Sequence, residues 1–219
     1  MLTYEQVTKS DAIKTYIIRA DESLAALGFT EHCFSHVIHV ARTAGYILQE
    51  LGHDERTVEL AKIAGYLHDI GNLVNRKDHS QSGAVMAWSI LNDLGCDAGE
   101  VATIVTAIGN HDEGTGVPVN AVAAALILAD KADVRWTRVR NKDISSFDIH
   151  DRVNYSVKQS KLLINEDKTL VTLNLTVDPD FCAVMDYFEI FMGRMILCRK
   201  AAERLGMTFK LVINDQQLI

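Results

Sequence analysis

The stretch AGYLHDIGN, residues 64–72, decides how the rest of the chain is read. Its first half is apolar and fits the end of a helix, and His68 and Asp69 stand together just before Gly71. A helix that starts near Asp54 runs into this pair, so an imidazole and a carboxylate are delivered at a helix end. A carboxylate beside an apolar helix face is costly to bury without a partner. The question for the flanking sequence is which elements bring that partner.

Outward from residues 64–72 the pattern is helix after helix. Thr3 and Gln6 form a capping box for an amphipathic stretch that runs to Leu27 and stops at Gly28. Thr30 caps a second helix that ends at Leu51, before Gly52. Its apolar residues Val37, Val40, Ala41, Ala44, Ile47 and Leu48 recur with period 3.6. Further helices are predicted from His79 to Leu94, from Ala98 to Asn110 and from Val119 to Arg140. The pattern then changes. Lys161 to Asn165 and Thr169 to Val177 are rich in Leu, Ile, Val and Thr, and they flank the polar turn Glu166-Asp167-Lys168, which predicts a β-hairpin. Pro179 opens a last helix closed by Gly206, and FKLVIN, residues 209–214, can add a third strand. The fold class is mainly α, with a helical metal-binding domain over 1–157 and a β-hairpin plus helix extension over 158–219 packed on it.

Composition narrows the function classes. The 219 residues are 48% apolar and 23% charged, with a net charge of −7, so no chain-wide cationic surface exists for an extended nucleic acid. Cys33, Cys96, Cys182 and Cys198 form no CxxC pair and read as reduced thiols. The apolar run Ala121 to Ala129 is far below the roughly 20 residues that span a bilayer. The opening MLTYEQVTKSDAIK has no basic segment leading into an apolar one, so the expectation is a soluble cytoplasmic protein without membrane partners.

The histidines are placed unevenly. His36 lies one helix upstream of His68, His79 just downstream, and His111 directly after a helix in GNHDEGTG. Asp130 interrupts the apolar run AALILAD. Each alone is as well explained by a hydrogen-bonded core residue. Together, four His and two Asp at helix faces and ends would make a cage of nitrogen and oxygen donors with no Cys, which suits a borderline or hard transition metal. His39, His53 and His150 read as packing or surface residues. His32, four residues before His36 and on the same face of that helix, matches no usual ligand position.

His36-Val37, Val40-Ala41, the Leu67-His68-Asp69-Ile70-Gly71 element and Asp130 in its LAD stretch resemble the HD-domain superfamily of metal-dependent phosphohydrolases. A His about 30 residues before the HDIG element and an Asp about 60 after it complete the pattern, over residues 30 to 140. The resemblance implies a helical HD bundle in which His36, His68, Asp69 and Asp130 hold a first metal. It implies that His79 and His111 hold a second, with Asp69 bridging. That layout is similar to the dinuclear branch, which includes the diadenosine tetraphosphate hydrolases and the HD-GYP phosphodiesterases. Asn72 stands where a Lys often follows HDIG, and Gly116-Val117-Pro118 stands where HD-GYP members have Gly-Tyr-Pro.

The implied cofactors are two divalent transition metal ions, of Fe, Mn, Ni, Co or Zn. The implied chemistry is attack on phosphorus by a metal-activated hydroxide, with Asp69 and His68 as the catalytic pair. The expected substrate is a small phosphorylated molecule, in particular a nucleotide. Two alternatives stay open: a di-iron oxygenase of the same fold, and a non-enzymatic metal- or nucleotide-sensing module. Lys131, Arg135, Arg138 and Lys142, spaced by four, three and four, are expected on one face of the long helix just past Asp130. Arg135 and Arg138 are the candidate phosphate-binding residues. The hairpin's exposed edges can pair within one subunit or across a homodimer.

Overall fold

The computed structural model describes the backbone of residues 1–219, and the side chains of residues 1–183 and 185–219. The helices are α1 (Tyr4–Lys9), α2 (Asp11–Ala26), α3 (Phe34–Glu50), α4 (Glu55–Leu67), α5 (His79–Asp93), α6 (Ala98–Gly109), α7 (Ala121–Ala132), α8 (Ile149–Ser156) and α9 (Val184–Arg204). The strands are β1 (Val157–Ile164), β2 (Leu170–Val177), β3 (Thr208–Ile213) and β4 (Gln216–Gln217). This is the expected mainly-α architecture with strands near the C-terminus.

Helix α7 is the axis of the bundle. Its residues Val122 to Ala129 are all buried, because α3, α4, α6 and α9 pack around it. A helix apolar on every side has no solvated face to keep. Asp130 enters at its last turn, where the helix side chains would otherwise continue the core.

The structure corrects several boundaries. The capping box of Thr3 and Gln6 is present, but Ser10 caps a new helix and splits the first stretch into α1 and α2. Thr30 caps nothing: α3 starts at Phe34 after Cys33, so His32 precedes the helix and does not share a face with His36. Gly28 and Gly52 take positive φ just past the ends of α2 and α3, as helix stops require. The long helix expected to reach Arg140 stops at Ala132, with Asp133 as its cap, and Trp136–Arg138 forms a separate 3-10 turn. Burial of Asp133 and Arg138 explains the break, since a continuing helix would carry their side chains around its axis. The stripe of four cations on one helix face therefore does not form.

At the C-terminal end the sheet order is β1-β2-β3-β4. Strands β1 and β2 form the expected antiparallel hairpin, and β3 joins β2 in parallel through the crossover helix α9. Period-2 burial of Val171, Leu173, Leu175 and Val177 turns one face of β2 to the core. Helix α9 starts at Val184, later than Pro179, and α8 was not foreseen. Among the described residues, no helix is long and apolar enough to cross a membrane.

Candidate metal centre

Four helix ends and one loop converge on a single buried point. His68 caps the C-terminus of α4, and Asp69 follows in the turn into the short 3-10 segment Ile70–Leu73. His36 comes from the first turn of α3, His79 from the start of α5, His111 from just beyond α6, and Asp130 from the last turn of α7. His36 and His68 have 0% of their surface exposed, and Asp69, His79 and His111 are also buried.

The imidazoles are all turned the same way. His36 Nδ1 lies 2.7 Å from Asp133 Oδ2, His68 Nδ1 2.8 Å from the Gly65 carbonyl, and His111 Nδ1 2.6 Å from the Ile108 carbonyl. His79 Nδ1 faces the Arg76 carbonyl at 3.1 Å. An acceptor at Nδ1 places the ring proton there and leaves Nε2 as a lone-pair donor pointing inward, which is how metal-binding imidazoles are oriented. His36 Nε2 and His68 Nε2 are 3.2 Å apart, and so are His79 Nε2 and His111 Nε2. Two bare nitrogens at this separation repel each other unless a proton or a metal cation lies between them. Ligands about 2.1 Å from one ion at tetrahedral or square angles would sit roughly 3.0–3.4 Å from each other.

Asp69 stands between these two pairs. Its Oδ2 is 3.4 Å from His36 Nε2 and 3.2 Å from His68 Nε2, while its Oδ1 is 3.4 Å from His79 Nε2. Among the described residues Oδ2 is buried with no hydrogen-bond partner, an orphaned acceptor that a cation would satisfy. Asn72, where a Lys often follows the HDIG element, donates to Asp69 Oδ1 at 3.0 Å and to its carbonyl at 2.9 Å, fixing the carboxylate. Asp130 Oδ1 lies 3.4 Å from His36 Nε2 and 3.7 Å from His68 Nε2. Two donor triads have all their ligand atoms within 4.8 Å: His36, His68 and Asp130, and His68, Asp69 and His111. The donor set fits divalent transition metals.

The charge balance agrees. Burial opposes a proton on His68, yet Asp69 and Asp130 outweigh it and lift its pKa to about 10. The His111 pKa is driven well below the usual range, first by burial and then by His68 and Lys131. Left to itself, the carboxylate side of the cage draws in positive charge.

Residues outside the predicted ligand set complete the surroundings; of these Asp133, Glu113 and Arg194 were not singled out by the sequence. Asp133 orients His36 and is itself held by Arg135 Nε at 2.6 Å. Lys131 is buried, with Nζ 2.7 Å from Glu113 Oε2 and 2.8 Å from Asp130 Oδ2. Arg194 of α9 pairs with Glu113 at 3.1 Å. The Asp-x-x-Asp spacing of Asp130 and Asp133 was the one available signal. Arg138 lines the chamber over the cage, together with His32, Arg76 and Arg194. Arg135 turns away from it, to Asp133 and the Ser35 hydroxyl, so the two arginines expected to act alike are separated. Gly71, in the turn after Asp69, does not take positive φ. Its constraint is steric: a Cβ there would lie 2.0 Å from the His79 carbonyl oxygen and 2.4 Å from Gly83 N.

The HD domain family matches residues 33–149. Ribonuclease Y of Latilactobacillus sakei subsp. sakei is 36% identical over 104 residues, covering 48% of this chain and 18% of that protein. Ribonuclease Y of Acetivibrio thermocellus is 34% identical over 119 residues, covering 54% of this chain and 21% of its own length. The chain thus spans about a fifth of these relatives. An uncharacterized protein of Methanocaldococcus jannaschii is 24% identical over 193 residues, covering 77% of this chain and 74% of that one. The crystal structure of a predicted HD superfamily hydrolase from an uncultured Thermotogales bacterium aligns with a TM-score of 0.45 and 27% identity. It covers 57% of this chain and 67% of its own.

Proposed function

Because the chain belongs to the HD domain family, we propose that it is a metal-dependent phosphohydrolase of the dinuclear kind, acting on a small phosphorylated substrate such as a nucleotide. The observation that carries this reading is Asp69, which turns one oxygen to His36 and His68 and the other to His79. His36, His68 and Asp130 would hold one ion, His79 and His111 the other, and Asp69 would serve both. Bound divalent ions supply Lewis acidity toward phosphoryl oxygens and lower the pKa of water for attack on phosphorus.

The chain's own residues do the rest. The Nδ1 contacts keep every Nε2 aimed inward, so no reorganisation is required when charge develops. Lys131 fixes Asp130 against Glu113 and keeps that carboxylate ionised. Arg138 lines the chamber with a guanidinium whose charge and free Nη2 suit a phosphate oxygen. The chamber is small, about 20 Å³, room for little more than one water beside the cage. Relatives named ribonuclease Y are in keeping with phosphoester chemistry, although the acidic character of this chain favours a small substrate over RNA.

Metal analysis of the purified protein, followed by a hydrolysis screen of nucleotides and dinucleoside polyphosphates, tests the reading. The expected result is release of phosphate or a nucleotide that stops when the ions are removed. A metal-loaded protein that hydrolyses none of them, but takes up oxygen with mixed-valence iron, would return the site to oxidative chemistry.

A further inference from the structure

The chamber over the cage lies beside a cleft of about 420 Å³ between the α2–α3 connection, α8 and α9. Four residues line both spaces, His32, Arg76, Arg138 and Arg194, and so stand between them. Each guanidinium is held on one side. Arg138 donates through Nε to the Glu31 carbonyl at 2.9 Å and through Nη1 to the Asp133 carbonyl at 2.7 Å. Arg194 donates through Nε to Glu113 and lies 4.6 Å over the Phe191 ring. Arg76 lies 5.5 Å over the Phe29 ring. Among the described residues, Nη2 of Arg138 and both Nη atoms of Arg194 donate to no protein group.

The part of the cleft that the chamber does not share has a different character. Asp148, which caps α8, and Asp151 and Asn154 of α8 line it with His150, beside an apolar wall that includes Phe29 and Ile190. Carboxylates there repel a phosphate and accept hydrogen bonds from hydroxyls. The residues shared with the chamber thus include three guanidinium groups, and those of the cleft alone include carboxylate acceptors.

We propose that Arg194, supplied by α9 from outside the matched segment 33–149, joins Arg76 and Arg138 in binding the substrate's phosphate, and that the substrate is the phosphate ester of a polyhydroxy compound whose hydroxyls face Asp151. The α9 extension is then part of the substrate site. This rests on the phosphohydrolase reading and names the substrate class for it.

Calorimetry on the metal-loaded full chain tests the assignment with two probes. One is inorganic phosphate. The other is the phosphonate isostere of ribose 5-phosphate, in which a methylene replaces the ester oxygen so that nothing is hydrolysed. Arg194→Gln should weaken both probes by about tenfold or more with metal content retained, and Arg194→Lys, which keeps a cation beside Glu113, should recover part of the loss. Asp151→Asn should weaken the isostere several-fold and leave inorganic phosphate unchanged. If both Arg194 variants bind both probes as the parent does, Arg194 is not a phosphate ligand. If Asp151→Asn binds the isostere as the parent does, Asp151 reads no hydroxyls. Failure of the underlying reading looks different: the parent would bind phosphate and yet hydrolyse no phosphoester.

Discussion

His36 Nδ1 donates to Asp133 Oδ2 across 2.7 Å, tying the first turn of α3 to the residue that ends α7. The contact aims His36 Nε2 into the cage, and Arg135 in turn holds Asp133. Replacing Asp133 by Asn weakens the acceptor without changing its shape. Outer partners of metal-binding imidazoles are worth about 10–100-fold in metal affinity or activity. Competition with a chelator should therefore show Asp133→Asn losing metal at least tenfold more readily, and equal retention would mean that the contact only packs.

Gly71 is expected to tolerate no side chain. A Cβ would sit 2.0 Å from the His79 carbonyl oxygen, so Gly71→Ala must push the Asp69 turn away from α5. Overpacking of this kind costs roughly 1–3 kcal/mol or more, which is about 3–10 °C of melting temperature in a chain of this size. A thermal melt identical to the parent's would show that the approach is not tight.

Glu113 ties the loop carrying His111 to α7 and α9 through Lys131 and Arg194. Glu113→Ala leaves the buried Lys131 with Asp130 alone, and breaking a buried pair from one side costs about 3 kcal/mol. The variant should melt lower. Its loss should shrink when Lys131→Met is added, because the stranded charge is then gone. Simple additivity of the two losses would argue against coupling.

The ion-free protein should have its own pH dependence. His68 has a pKa of about 10 in the folded chain against its ordinary 6.5, because Asp69 and Asp130 overcome burial. A raised folded pKa stabilises fully below pH 6.5, and that contribution is lost as pH rises toward 10. The carboxylates, with lowered pKa values, remain ionised throughout this window. Chelated protein should thus melt at progressively lower temperature between pH 6.5 and pH 10, and metal-loaded protein should not. A flat profile after chelation would mean that no proton replaces the ions.

Arg138 and Arg135 should separate in kinetics. Arg138 faces the chamber, so Arg138→Gln should raise KM for a phosphoester by about tenfold with metal retained. Arg135 reaches the site only through Asp133, so Arg135→Gln should show the smaller rise in KM. Equal effects would place both on the substrate.

The helical bundle was legible because most helices carry their own punctuation: period-3.6 burial in α3, a capping box at Thr3 and glycines past α2 and α3. The sequence marks out His36, His68, Asp69, His79, His111 and Asp130 because they interrupt apolar runs or follow them directly, and the structure brings their side chains together. What escaped the sequence is set by tertiary packing. The end of α7 at Ala132 has no Gly or Pro to announce it, since burial of Asp133 and Arg138 turns the chain there. Arg194 lies on a helix with no motif, and only the packing of α9 on α7 brings it to the cage. Helix α8 is eight residues long and polar, too short for periodicity to register.

The central claim is that Asp69 serves two ions, and anomalous scattering from crystals of the metal-loaded protein tests it most directly. The account predicts two peaks about 3.5–4 Å apart on either side of the Asp69 carboxylate. His36, His68 and Asp130 should border one, and His79 and His111 the other. A single peak, or two peaks of which only one touches Asp69, would contradict it.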